Sequence, residues 1–260
     1  MTSTDLALII ASGLAAGFIN AISGGGAMLT VPALIFIGLS PGVANGTNRV
    51  AVLVQNLAAI AAYHRLRVID HRQAISLSLP ASVGGLCGAL MSIRLDDDLF
   101  RTILGIAMLL LVVPVLIEPR LSVRVVASEQ SSRQGWFLWL VFFALGVYGG
   151  LLQVGVGIFI LVALNSLTGM DLVPANGLKV VVVLCLTFLA LVVFVADGKV
   201  DWGVGFLMAG ANAAGAWFGA HWGVRKGSYW IRVVLILTVM VMALQLLGAL
   251  SWVGALLQRQ

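Results

Sequence analysis

The chain has 260 residues, of which 61% are hydrophobic and only 10% charged, with a net charge of +5; its mean hydropathy is +1.09. A water-soluble domain carries about 25% charged residues, so this chain cannot cover itself with a water-facing surface. Most of its length has to lie in lipid. The basic excess shows no run with interleaved aromatics, which argues against nucleic acid as a partner; it reads as anchoring charge in cytoplasmic loops.

In chain order, apolar segments fall at 6–22, 28–38, 43–63, 74–93, 100–117, 136–153, 158–168, 173–195, 202–222 and 229–250. Those near 20 residues are long enough to cross about 30 Å of hydrocarbon. The first, within "MTSTDLALIIASGLAAG", lacks a basic n-region and reads as a retained helix rather than a signal peptide. Segments 28–38 and 158–168 are too short to cross. Each follows a glycine break, Gly24-Gly25-Gly26 in one case, Gly155 and Gly157 in the other. Cys87 and Cys185 lie in apolar runs and read as small buried residues, not as a disulfide or a metal site.

An ungapped offset of 131 residues takes Gly24 to Gly155, Gly26 to Gly157, Gly38 to Gly169 and Ala44-Asn45-Gly46 to Ala175-Asn176-Gly177. It continues through Asp70 and Asp201, Gly84 and Gly215, Gly88 and Gly219, Arg94 and Arg225, and Arg101 and Arg232. The chain therefore reads as a transmembrane repeat over 1–117, a cytoplasmic linker over 118–135 and a second transmembrane repeat over 136–260. Arginines place loop 64–72, the linker and loop 225–232 inside; loops 94–101 and 196–201 fit the outside. Loop 64–72 and its repeat mate then face opposite sides, so the repeats are inverted, as in many secondary transporters. Parity makes each broken pair enter and return, either as a re-entrant hairpin or as two short crossings, and leaves both termini outside. The expected fold is an all-α polytopic membrane protein of two inverted-topology repeats, each with a Gly-broken or re-entrant helix pair and about three spanning helices.

All ten acidic residues fall in loops or at segment ends, and of fifteen basic residues only Arg49 and Lys179 fall clearly inside spans. An intramembrane ionisable residue is a functional candidate by default. With no carboxylate in the spans to neutralise these two cations, an anion is the expected partner. Permitting a one-residue gap, Arg49 after "ANGTN" and Lys179 after "ANGL" are counterparts. A second reading stays open, in which both side chains snorkel to headgroups.

A broken helix exposes backbone N–H groups at the start of its second half, where donors and dipole favour anions. Gly24, Gly25, Gly26, Gly155 and Gly157 are thus candidate anion cradles, unless they merely let helices pack closely. Asn20, Ser23 and Thr30 flank the first break, and Gln153 the second. Asn45 and Asn176 read as N-caps, site residues or both; Thr47 and Asn48 continue the polar edge of the 43–63 helix, with Gln55 and Asn56 beyond. Asn212 reads as interhelical glue, and "GGLCG" (84–88) and "GAWFG" (215–219) as small-residue packing faces. The spans hold no His–Asp–Glu cluster, so neither a catalytic residue, a metal site nor a cofactor is expected.

The stretch "GFINAISGGGAMLTVPALIFIGLSPGVANGTNRVAVLVQN" and its echo at 146–184 resemble the sulfite exporter TauE/SafE family of bacterial membrane proteins. The shared pattern is a Gly-rich break, a short apolar helix, then "A-N-G-T-N" opening the next span, and it covers essentially the whole chain. The resemblance implies export of a small sulfur oxyanion or organosulfonate, such as sulfite or sulfoacetate, across the inner membrane. A membrane scaffold without transport, or a carrier of a different small anion, is the alternative. The partners expected are that anion and the lipid bilayer; the oligomeric state, a homo-oligomer included, is left open. The second half departs from the pattern, since "ANGLKV" lacks the Thr-Asn pair and "QVGVG" has one glycine fewer in a row.

Overall fold

The computed structural model describes residues 2–22, 25–65, 69–117 and 132–223. Within them the chain forms nine helices and no strand: α1 (Ser3–Ile22), α2 (Ala27–Phe36), α3 (Pro41–Arg65), α4 (His71–Ser92), α5 (Asp97–Ile117), α6 (Ser132–Leu151), α7 (Val156–Thr168), α8 (Leu172–Ala196) and α9 (Trp202–Gly223). The expected all-helical membrane architecture is therefore observed. Segment 229–250 and linker residues 118–131 lie outside the described residues. Among the described residues three helices, Ser3–Ala21, His71–Ser92 and Val173–Ala196, are long and apolar enough to cross a membrane. At about 1.5 Å per residue, α2 spans about 15 Å and α7 about 20 Å, short of a bilayer core.

Local chemistry explains the helix starts. Asp70 caps α4, its Oδ1 accepting the amides of Arg72 at 3.0 Å and Gln73 at 3.1 Å, which satisfies two of the first-turn donors. α3 opens on Pro41, whose missing N–H is tolerated at the first helical position. That start lies a turn before Asn45, and Leu172 likewise starts α8 before Asn176. Neither asparagine is an N-cap: Asn45 bonds to Ser92 and to the Leu151 carbonyl, and Asn176 accepts from Lys179.

The element lengths echo the 131-residue offset: α3 and α8 both have 25 residues, and α4 and α9 both have 22. Packing follows the same exchange. α4 packs most extensively on α6 and α1 on α9, while α3 crosses α9 and α4 crosses α8. Glycines permit the closest of these approaches. A Cβ at Gly84 or Gly88 would collide with the Phe143 or Val147 carbonyl of α6, and one at Gly215 or Gly219 with the Leu14 or Phe18 carbonyl of α1. The two sequence motifs read as packing faces are therefore packing faces, and they occupy equivalent positions.

Two large apolar cores result. One joins α1, α2, α5 and α9 around Met28, Leu34, Leu104, Met108 and Met208. The other joins α4, α6, α7 and α8 around Leu77, Phe142, Ile160, Leu164 and Leu186. Large apolar side chains also face outward along α4 (Ile75, Leu79, Val83, Leu90), and Trp136, Trp139, Trp202 and Trp217 are exposed. Lipid is the solvent in which such a surface is stable.

Candidate functional site

The second break runs from Leu151, where α6 ends, to Val156, where α7 begins. Gln153 has φ of 63°, the one positive value at a non-glycine position among the described residues, and Gly155 follows at 70°. Holding a side chain there costs on the order of 1–3 kcal/mol and persists only where surrounding structure imposes it. Two braces do so. Tyr148 donates its hydroxyl to the Val154 carbonyl at 2.7 Å, and Gln153 Nε2 donates to Thr187 Oγ1 at 3.1 Å. Gln153 is only 2% exposed, and its Oε1 is buried with no hydrogen-bond partner.

The first break separates Ile22 from Ala27. Gly26 precedes α2 so closely against α1 that a Cβ would collide with the Ala16 carbonyl; Gly25 beside it is buried. Ser23 and Gly24 lie outside the described residues. The C-terminal turn of α1 is held from two sides. Tyr63 donates its hydroxyl to the Ala21 carbonyl at 3.0 Å, and Lys179 Nζ donates to the Asn20 carbonyl at 3.0 Å and to Asn176 Oδ1 at 2.6 Å.

Arg49 plays the matching part at the other break. Its Nη1 donates to the Gly149 carbonyl at 3.3 Å and its Nη2 to the Gly150 carbonyl, both in the last turn of α6. Its Cζ lies 4.6 Å from the centre of the Phe194 ring. Arg49 is 0% and Lys179 1% exposed, so neither cation reaches the protein surface. Each ends on the carbonyl end of a half-helix from the opposite half of the chain, where the helix dipole favours a cation.

A cavity of about 10 Å³ lies between the breaks, room for about one water. Asn20 and Ala27 line it from the first break; Gln153, Val156 and Gly157 from the second; Val52 and Asn56 from α3; Lys179 and Val183 from α8. Of the residues expected from sequence, the structure thus brings Asn20, Gln153, Gly157 and Lys179 together, with Asn176 on the Lys179 ammonium. Gly155 sets the turn ahead of them. Arg49 is not among the lining residues. It belongs to a second polar cluster, in which Asn45 Nδ2 donates to Ser92 Oγ at 3.1 Å and to the Leu151 carbonyl at 2.9 Å. Thr30 donates to Asn48 Oδ1 at 2.6 Å, joining α2 to α3. Thr47 instead accepts the Asp201 amide at 2.9 Å, tying down the start of α9.

Tyr63 and Thr187 were absent from the sequence-derived set. Thr187 is a polar residue in the middle of the apolar run of α8, and that alone marks it. Tyr63 sits 131 residues before Phe194, the ring beneath Arg49, so the repeat offset links the aromatic neighbours of the two helix caps. Gln55 and Asn212 meet as interhelical glue, Asn212 Nδ2 donating to Gln55 Oε1 at 3.2 Å.

The electrostatics of the cavity follow. The carbonyl ends of α1 and α6 are occupied by Lys179 and Arg49, whereas Val156 and Gly157, at the amide end of α7, border the cavity. The Lys179 ammonium and the positive end of the α7 dipole therefore both lie at the cavity, the arrangement that broken transporter helices use for anionic groups. No cluster of three or more metal-ligating side chains occurs among the described residues.

A helical bundle with outward-facing apolar surfaces, interrupted helices and a polar cavity where the interruptions meet has the makings of a membrane transporter. The chain belongs to the sulfite exporter TauE/SafE family, whose pattern matches residues 9–246. It is 28% identical over 249 residues to a probable membrane transporter protein of Haemophilus influenzae, covering 95% of this chain and 96% of that one. It is 30% identical over 251 residues to the probable membrane transporter protein YfcA of Escherichia coli K12, covering 92% and 90%. Probable membrane transporter protein ORF9 of a Sinorhizobium species is 27% identical over 245 residues, covering 94% and 92%. No solved structure matches the chain.

Proposed function

We propose that this membrane transporter is a secondary carrier that exports a small sulfur-containing anion, sulfite or an organosulfonate such as sulfoacetate, across the bacterial inner membrane. The observation that carries the reading is the cavity between the two breaks, lined from both halves of the chain and holding the buried Lys179 ammonium. The family description supplies the sulfur oxyanion. Lys179 neutralises the anion, Asn20, Asn56 and Gln153 contribute polar groups, and Val156 and Gly157 supply the amide end of α7. At about 10 Å³ the cavity has room for about one water, so carrying the anion requires it to enlarge as the halves move.

That movement is rocking of two inverted repeats, 1–117 and 136–260, about the shared site. The exchanged helix packing and the loop charges support it, with both termini outside and the linker in the cytoplasm. Sulfite efflux from vesicles containing purified protein tests the proposal. Lys179→Gln should cut flux by about tenfold or more, in line with losing a charge-assisted contact. Undiminished sulfite flux in that variant overturns the assignment of the site.

A further inference from the structure

Resting on the reading of this cavity as an anion site, we infer that Gln153 selects the protonation class of the substrate: a monoanion that keeps one hydrogen-bond donor is taken in preference to a fully deprotonated dianion. Hydrogen sulfite is the simplest sulfur example. The cavity is not uniformly built for negative charge. Among its described lining residues Lys179 contributes the only charge, so one negative charge is matched and a second is not.

Gln153 then sets what the remaining part of the ligand can be. Its Nε2 is committed to Thr187 Oγ1. Its Oε1 is buried, unpartnered and an acceptor only. An acceptor left without a donor in such a place is costly, and a ligand that brings an acidic hydrogen removes that cost. A ligand whose oxygens are all anionic acceptors meets lone pairs instead. The backbone argues the same way. The chain holds a non-glycine residue at φ of 63° here, whereas the ungapped repeat mate in the first half is Ile22. The glutamine at this repeat position is confined to one break, and the backbone conformation that places it is one a non-glycine residue adopts only under constraint. Sites that hydrogen-bond a donor on their substrate reject analogues lacking it more strongly than apolar pockets reject a size change.

The test uses the full-length purified protein and three probes at one mildly acidic pH, where sulfite is the monoanion. Hydrogen sulfite offers one charge and a donor; methanesulfonate offers one charge and no donor; sulfate offers two charges and no donor. Affinity is read by calorimetry or by ligand-induced thermal stabilisation. Hydrogen sulfite should bind about tenfold or more tightly than either analogue, and Gln153→Met should level hydrogen sulfite with methanesulfonate. Gln153→Gly, which removes the amide and suits the left-handed backbone, should level them too and guards against a misfolded Met variant. Methanesulfonate or sulfate binding as tightly as hydrogen sulfite overturns the inference while leaving the anion site standing. Binding of none of the three overturns both.

Discussion

Arg49 and Lys179 look interchangeable in the sequence, yet they should separate cleanly in experiment. Consider Arg49→Lys, which keeps the buried charge and so keeps its desolvation cost. The planar fork that reaches the Gly149 and Gly150 carbonyls is lost, and a lysine ammonium can serve only one of them in comparable geometry. One buried carbonyl goes unpaired, at about 1–3 kcal/mol, and the guanidinium stack on Phe194 forfeits about 0.5–2 kcal/mol. Together these give a loss of about 1.5–5 kcal/mol. With about 2–4 °C per kcal/mol for a chain of this size, the melting temperature in detergent should fall by roughly 3–20 °C. Anion affinity of the folded variant, read from ligand-induced stabilisation, should stay within about threefold of the parent, because Arg49 does not line the cavity. Lys179→Gln should instead lose the ligand-induced shift. An Arg49→Lys protein with an unchanged melting temperature and a tenfold weaker anion response would refute the reasoning and make Arg49 a ligand.

Three further outcomes follow from packing and capping. Gly88→Val drives a side chain into the Val147 carbonyl of α6, and since backbone cannot yield as a side chain can, monodisperse protein should be lost on size-exclusion chromatography; a normal folded peak would contradict the packing. Tyr63→Phe leaves the Ala21 carbonyl without its hydroxyl donor, costing about 1–2 kcal/mol and lowering the melting temperature by several degrees. Asp70→Ala removes the side chain that caps two amides of α4 and should cost about 1 kcal/mol, with anion affinity unaffected.

Much of the scaffold was legible because lipid leaves few choices. Apolar length, glycine breaks and the 131-residue offset located all nine described helices, since each signal follows from what a helix must bury and where its backbone must stop. The lining of the cavity between the breaks was legible in part. Asn20, Gln153 and Gly157 stand out by their proximity to the breaks and Lys179 as a cation inside a span, and the four line one cavity. Arg49 stands out by the same rule as Lys179, a cation inside a span, yet it does not line that cavity. Which helix end a long side chain reaches depends on how the halves dock, and no spacing within α3 or α8 reveals that. Asn45 and Asn176 read in sequence as caps, site residues or both; Pro41 and Leu172 begin the helices, moving both asparagines inward by a turn and removing the cap reading. Tyr63 was passed over as one more aromatic residue near a helix end, where its apolar ring accounts for its position without its hydroxyl.

The puzzle of two buried cations with no carboxylate in the spans is resolved by the breaks themselves. Interrupting a helix inside a membrane strands carbonyls on one side and amides on the other. The carbonyl end carries about half a negative charge, and a buried cation is a fitting partner for it. Arg49 and Lys179 take that role across the molecule, each capping a half-helix from the other half of the chain. The amide end of α7, at Val156 and Gly157, is left bordering the cavity. The two caps differ in how firmly they are made. Arg49 binds two carbonyls and stacks on Phe194, a fixed fork in a fixed seat. Lys179 holds the Asn20 carbonyl through a compact head on a flexible stem, and it alone borders the cavity. On the proposed reading, an arriving anion competes with the end of α1 for that ammonium, so binding loosens the contact that ties α8 to α1 while the Arg49 cap stays closed. The chemical departure of the second half from the first, Lys for Arg and a glutamine where the first half has isoleucine, is then what makes one break the binding break and the other its support.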